Sequence, residues 1–539
     1  MTSVSNNVFL FHYTPPTDFG VEPTLLVADG GGRVERWSLD QLAACPNPIV
    51  THSFSLLVDW FRKSDLKLPK AVIDLEVAAK LLTGRPKSDF DVERPWDMPS
   101  VLRSLIPSNR EERLLRATMA THLAKPAFSE FGNLRWMMAI AKGLPALWEV
   151  TVERLKTKGE YERFLDYEVT AYNAMLSTQY RGIELDETIR DRFLDEIEKE
   201  YRHAHFTLAI SKKIDVERAL GDAEYLLTVL GLPNRNADDL PEVQDLIAAR
   251  EDFDDTCRFL GEVVSARRNK GILLRSFGAE QGVCFPFFDT MGTVTGRILT
   301  VDPQLQHLAK KYRGIIRPRP GHRLGYVDYS QFEPNIIASI CNDPQLLALC
   351  KEGDLYEKLS TELFGSKEHR KVCKLMFLAY SYGKQISTLS DFVCGLLPSK
   401  RAADSAIKTK FTPLFSGVER WKTTVQTTLK KEGKVGTLLG NYRYRTKDGD
   451  LDPKEKRWAI SQVVQGTGSL ILKRLISRLV NELPHVAVLL PMHDALLVEV
   501  PEEGADDSLG ALVELCRSTF VDLCPALEPS ISQKPFSEL

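Results

Sequence analysis

The sequence predicts a multidomain α+β protein, and three observations carry that expectation. The chain has 539 residues, too many for one hydrophobic core at roughly 100–200 residues per compact unit. Its first part, to about residue 150, alternates short apolar runs with glycine turns in a mixed α/β pattern. From about Glu160 to about Lys270 long amphipathic helices take over, and beyond them glycine, aromatic and basic residues become denser.

In the first segment, Thr24-Leu-Leu-Val-Ala28 before Asp29-Gly-Gly-Gly32 reads as a strand entering a tight turn, since glycine tolerates positive φ. Ala71 to Leu82 reads as a strand running into a helix, and Arg85 to Pro99, rich in Pro, Asp and Lys, as a surface loop. In the second segment Ile189, Phe193, Ile197 and Tyr201 recur every four residues between charged ones, the stripe of an amphipathic helix.

Composition narrows the classes. Charged residues make up 27% and hydrophobic ones 43%, with 70 Lys+Arg against 73 Asp+Glu and a net charge of −3. This is a globular composition, so any nucleic-acid footprint must be local. No apolar run approaches the ~20 residues of a membrane span, and Met1 to Asn7 lacks the basic start of a signal peptide, which points to the cytoplasm. The nine cysteines are scattered without a C-x-x-C pair, against a zinc ribbon or a disulfide framework.

Two stretches offer carboxylates at strand ends. In His322-Arg-Leu-Gly-Tyr-Val-Asp328-Tyr-Ser-Gln-Phe-Glu333 a short strand delivers Asp328. In Val486 to Val500 two apolar strands flank His493-Asp494, a β-hairpin with Asp494 at its tip. Two such aspartates on neighbouring strands can share a pair of divalent cations, although an isolated Asp after a strand is more often a turn residue. Arg370, Lys374, Leu378 and Tyr382 span about 120° of a helix, so one face presents two cations, an apolar residue and a tyrosine. That order suits a triphosphate and its base, whereas for an isolated helix a basic first turn followed by core residues is the simpler reading.

Two further stretches are polar. Thr293 to Gln306 is followed by the cations Lys310, Lys311, Arg313, Arg317, Arg319 and Arg323, a local phosphate-backbone footprint. Arg457 to Gly468 places amides and hydroxyls at what reads as a helix start, where they can meet base edges or sugars.

In this order the stretches resemble the motifs of family A DNA polymerases, the bacterial DNA polymerase I class. Asp328 to Glu333 resembles motif A, Arg370 to Gly383 motif B and Met492-His493-Asp494 motif C. Thr295-Gly296-Arg297, Gly436 to Arg443 and Gln465-Gly466-Thr467 resemble further signatures. The resemblance implies a right hand of palm, fingers and thumb preceded by an α/β ribonuclease H-like, exonuclease-type domain. Its expected divisions are 1–155 exonuclease-like, 156–290 thumb, 291–345 palm, 346–440 fingers and 441–539 palm.

It implies a DNA polymerase that adds deoxynucleotides to a primer 3′ end, with primer-template DNA and deoxynucleoside triphosphates as partners and replication accessory proteins as further candidates. The expected protein is a monomer of the bacterial or phage-infected cytoplasm, associated with the nucleoid and with no membrane. Asp328, Asp494 and the Tyr329 carbonyl would hold two Mg²⁺, or Mn²⁺ in their place. Lys374 would serve as general acid to the pyrophosphate, with Arg370, Leu378, Tyr382, Glu333 and Gln331 around the nucleotide. Arg297, Gln306, Lys311, Gln465, His493 and Arg443 would contact DNA.

The sequence departs from the pattern at Leu378, where the family has an aromatic, and at Ala379, where it has glycine. It also departs at Pro334-Asn335, Ala495, Ser461 and Tyr356. Weaker stacking on the incoming nucleotide is the expected result. In the N-terminal part, Asp74 and Glu76 fall at a strand-helix junction after the His52 segment, while the strand expected to carry an Asp-x-Glu pair reads Leu26-Val-Ala-Asp29. A degenerate domain without proofreading is therefore expected, kept as a scaffold or a DNA-contacting platform. Two alternatives remain open: a single-subunit RNA polymerase, against which bulky Glu333 argues on steric grounds, and an inactive DNA-binding scaffold, against which the aspartate pair argues.

Overall fold

The computed structural model describes residues 7–13, 22–91, 95–98, 101, 130–232, 242–277, 282–533 and 535–537. Its N-terminal unit is built on strands β1 (Val8–Tyr13), β2 (Thr24–Ala28), β3 (Val34–Trp37), β4 (Ile49–Thr51) and β5 (Val72–Asp74). They lie in the order β3-β2-β1-β4-β5, antiparallel from β3 to β1 and parallel from β1 to β5. Asp74 ends β5 and caps helix α1 (Leu75–Thr83), accepting from the Glu76 amide, so the strand-helix junction read from sequence is present. Helix α2 (Glu130–Thr157) packs on β1 and β2, and this core runs on through Phe164 and Leu176.

The predicted stripe forms helix α3 (Glu187–Phe206), capped by Asp186, with Phe193 and Ile197 buried. It packs along helix α4 (Asp255–Ser276). A second sheet joins β6 (His322–Tyr329), β7 (Ala487–Met492), β8 (Ala495–Pro501) and β9 (Ile531–Ser532) in the order β7-β8-β6-β9. Every pairing in it is antiparallel. Helix α5 (Phe332–Cys341) follows β6, and helix α6 (Arg370–Ser381) stands across from it.

Behind the sheet runs helix α7 (Pro453–Glu482), with a capping box formed by Asp452 and Glu455 and proline at its first position. Gln465-Gly466-Thr467-Gly468 therefore lies in mid-helix, not at a helix start. The two glycines serve packing: a Cβ on Gly466 would come within 2.9 Å of Thr437 Cγ2, and one on Gly468 within 2.9 Å of Phe332 Cε1. The sequence reading places them at a helix start; glycine is poor in helix interiors, and close packing of two neighbours outweighs that cost. Helix α8 (Ala505–Leu523) backs α7. Among the described residues no helix is long and apolar enough to cross a membrane.

Candidate active site

Alternation and register bring the two aspartates together. Asp328 stands opposite Ala495 across β6 and β8, one residue beyond Asp494 in the β7–β8 turn, and the Tyr329 amide donates to the Asp494 carbonyl at 2.9 Å. Both side chains line a cavity of about 510 Å³. The backbone therefore fixes their separation, and no flexible loop intervenes.

Helix α6 supplies the opposite wall with Arg370, Lys374 and Leu378, as its spacing predicted. Arg370 is held by Asp354, 2.7 Å away, whose carboxylate also caps the helix that starts at Leu355. Burial pushes the Asp354 carboxyl up, but Arg370 and the helix amides outweigh it and keep it below the usual range. Tyr356 lies under the guanidinium, 5.3 Å from ring centre to Arg370 Cζ. Lys374 faces the floor, where its charge draws the Asp494 carboxyl down against the burial that raises it.

Gln331, Glu333, Arg297, Gln465 and His493 complete the cavity. Gln331 adopts positive φ and ties two segments together, donating to the Gly353 carbonyl and accepting from the Leu355 amide at 2.7 Å. Arg297 and Glu333 form an ion pair of 2.9 Å. Tyr382 ends α6 just outside the lining, and burial with Glu333 beside it pushes its hydroxyl well up. His493 is held below its ordinary value by desolvation at the hairpin tip and by Arg297 and His307.

Three expected DNA-contacting residues lie elsewhere. Gln306 is buried and its amide is consumed within the protein: it accepts from the Thr300 amide and donates to the carbonyls of Ile298 and Pro491. It braces the hairpin from below, which corrects its reading as a DNA contact. Lys311 is paired with Glu200 of α3 at 2.5 Å. Arg443 lines a neighbouring cavity and covers the Trp458 ring at 4.4 Å.

The basic run after Gln306 is likewise not a free patch. Lys311, Arg317, Arg319 and Arg323 are paired with Glu200, Asp186, Glu184 and Asp506 in turn, and Arg313 donates to the Leu308 carbonyl. Adjacency in sequence hid the carboxylates that distant elements bring to each cation.

The sequence reading missed a buried ionic network beneath the site. Lys473 of α7 meets Glu168 at 2.5 Å, and Arg163 bridges Glu168 and Glu160 at 2.7 and 2.8 Å. Burial pushes the Glu168 carboxyl up, but Lys473 and Arg163 together bring it below its usual value. Glu160 accepts from the Asn441 amide, while Ser469 donates to the Gly296 carbonyl and Gln462 to the carbonyls of Asn441 and Val294. The network thus fixes the loop carrying Arg297, where Gly296 has φ +80° and a Cβ would approach Asn441, Ser469 and Lys473. Its one sequence signal was a lysine within the apolar run Leu470-Ile-Leu-Lys473.

Two carboxylates and a strand backbone make a set of hard oxygen donors, the kind that holds Mg²⁺ or Mn²⁺. Desolvation raises the Asp494 carboxyl. A neighbouring cation would offset that, so the residues present fit a metal site.

The fold is that of the polymerase right hand. The POL domain of Pol1 from M. smegmatis, solved in complex with DNA primer-template and dNTP, superposes with a TM-score of 0.72 at 19% identity, over 97% of this chain and 94% of that one. Residues 270–521 match the family model for DNA polymerase family A. Relatives include a thermostable DNA polymerase I of Thermus caldophilus, 27% identical over 45% of this chain and 31% of the relative. The DNA polymerase I of Helicobacter pylori is 28% identical over 48% and 30%, and that of Aquifex aeolicus 26% over 42% and 41%. The matched region spans less than half the length of each relative.

Proposed function

We propose that the chain is a template-directed DNA polymerase that extends a primer 3′ end with deoxynucleotides and releases pyrophosphate. The observation that carries this reading is the register-locked pair Asp328 and Asp494 beneath the cationic face of α6. Asp328, Asp494 and the Tyr329 carbonyl are the groups that would hold two Mg²⁺, with Mn²⁺ as a substitute. Bound there, the metals would activate the primer hydroxyl and stabilise the leaving oxygen. Arg370 and Lys374 grip the triphosphate, and Lys374 protonates the departing pyrophosphate. Leu378, Tyr382, Glu333 and Gln331 surround the nucleotide, and Glu333 stands where a 2′-hydroxyl would fall. Arg297, Gln465 and His493 meet the terminal base pair. The proposed division is the one read from sequence: 1–155, thumb 156–290, palm 291–345 and 441–539, fingers 346–440. The compartment that this reading implies is a bacterial or phage-infected cytoplasm.

The N-terminal unit we read as a degenerate exonuclease-like domain without proofreading. Asp74 is buried and already accepts from the Phe54 and Glu76 amides and the Tyr172 hydroxyl. Glu76 is taken by Ser53 and Lys80.

Primer extension with Mg²⁺ and the four deoxynucleotides tests the main reading. Extension by the native protein and its loss in Asp328→Ala are expected. No extension, or extension unchanged by Asp328→Ala, overturns it.

A further inference from the structure

A second cavity of about 470 Å³ lies where the N-terminal unit meets the palm, and Gln465 lines both it and the aspartate cavity. Three of its cations come from two different units: Arg85 and Lys87 from the segment after α1, and Arg443 from the hairpin Lys434–Thr437/Gly440–Tyr444. None of the three makes an ion pair among the described residues, unlike Lys80 nearby, which is neutralised by Asp289 and Glu76. Trp96 adds an aromatic wall and Ser461 a hydroxyl. Asp89 attracts Arg443 from beyond ion-pair distance, and a polyanion relieves the repulsion that remains among the three converging cations.

On the proposed polymerase reading, we infer that this cavity holds the phosphate backbone of the template strand, with Arg85 and Lys87 as contacts supplied by the N-terminal unit. The strand follows from Gln465. The primer terminus must reach Asp328 and Asp494 on one side of that side chain, so the strand on its other side is the partner of the primer. The degenerate domain is then part of the DNA-binding groove, and its loss of metal-binding carboxylates leaves that role intact.

The test uses the full chain and a fluorescent primer-template of defined sequence. Native protein must first extend the primer; failure at that step strikes the polymerase reading and not this inference. Arg85→Ala/Lys87→Ala should weaken DNA binding several-fold at moderate salt. It should also lower the slope of log Kd against log salt by about one to two, the loss of one or two phosphate contacts. Arg33→Ala/Arg36→Ala, which removes equal charge at the far β3 edge of the same sheet, should leave both unchanged. A photoreactive 4-thiothymidine in the template strand near the insertion site should crosslink to residues 85–87 or to Trp96, and one in the primer strand should not. Equal slopes for the two double variants, or crosslinks from the primer strand alone, overturn the inference.

Discussion

Arg297 and Glu333, expected to contact different parts of the substrate, contact each other: Arg297 Nη2 and Glu333 Oε1 lie 2.9 Å apart, both largely buried. The pair joins the loop held by Ser469 to the first turn of α5, so on the proposed reading the residue assigned to the base pair would position the one assigned to the sugar. Glu333→Ala should raise the ribonucleotide-to-deoxynucleotide ratio of kcat/KM by at least about tenfold, because the space under the sugar opens. Arg297→Ala should raise it too, and the double variant should add little to either, as for two residues acting as a unit. Single-nucleotide incorporation kinetics with matched ribo- and deoxynucleotides measure all three, and full additivity would show that the pair does not act as one.

Replacing Lys473 with Met should destabilise the protein by about 3–5 kcal/mol, because the buried Glu168 carboxylate keeps one cation of two. Replacing Lys473 and Glu168 together, by Met and Leu, should cost less than Lys473→Met alone. Chemical denaturation followed by intrinsic tryptophan fluorescence reads both.

Acid should act on the same network. The Glu168 carboxyl is held below its unfolded value by Lys473 and Arg163 despite its burial. Its contribution is therefore complete above the unfolded value near 4.5 and is lost as pH falls through the lower folded value. The melting temperature of Glu168→Gln, lower at neutral pH, should fall less steeply below about pH 5 than that of the native protein. Parallel acid profiles would contradict this.

Leu378 lines the cavity on the α6 wall with Arg370 and Lys374 and offers no aromatic face. Leu378→Phe should lower KM for deoxynucleotides by roughly two- to tenfold, the range of about 0.5–1.5 kcal/mol that an aromatic contact contributes. An unchanged KM in steady-state extension would remove stacking from the account.

The N-terminal unit should not shorten DNA. A 3′-mismatched primer incubated with Mg²⁺ and no nucleotides should remain intact, whereas Asp74→Ala should lower the melting temperature, since three buried donors lose their acceptor. Stepwise shortening abolished by Asp74→Ala would reverse the assignment.

What could be read from sequence was what is local. The period of α6 put Arg370, Lys374 and Leu378 on one face, and alternation around His493-Asp494 gave the hairpin. Gln306 was misread because nothing in its own neighbourhood shows that the Pro491 carbonyl, far along the chain, would take its amide. The cations after Gln306 misled for the same reason, with partners on α3 and α8. Lys473 was missed because a lysine in an apolar run reads as a solvated edge until Glu168 is brought to it.

Helix α7 has 30 residues, a length of about 45 Å at 1.5 Å per residue. Gln462, Gly466, Ser469 and Lys473 fall on one stripe of it, which holds the loops, while Ser461 and Gln465 fall on the next, which faces the cavities. The helix works as a camshaft, its angular phase setting which groups face the cavities. A one-residue insertion between Gln465 and Ser469 would turn the two halves by about 100° relative to each other, so the aspartate floor and the template wall could no longer be in register. A substitution at Lys473 or Gly466 disturbs one contact of α7, whereas a change of length between Gln465 and Ser469 displaces both sets of contacts at once.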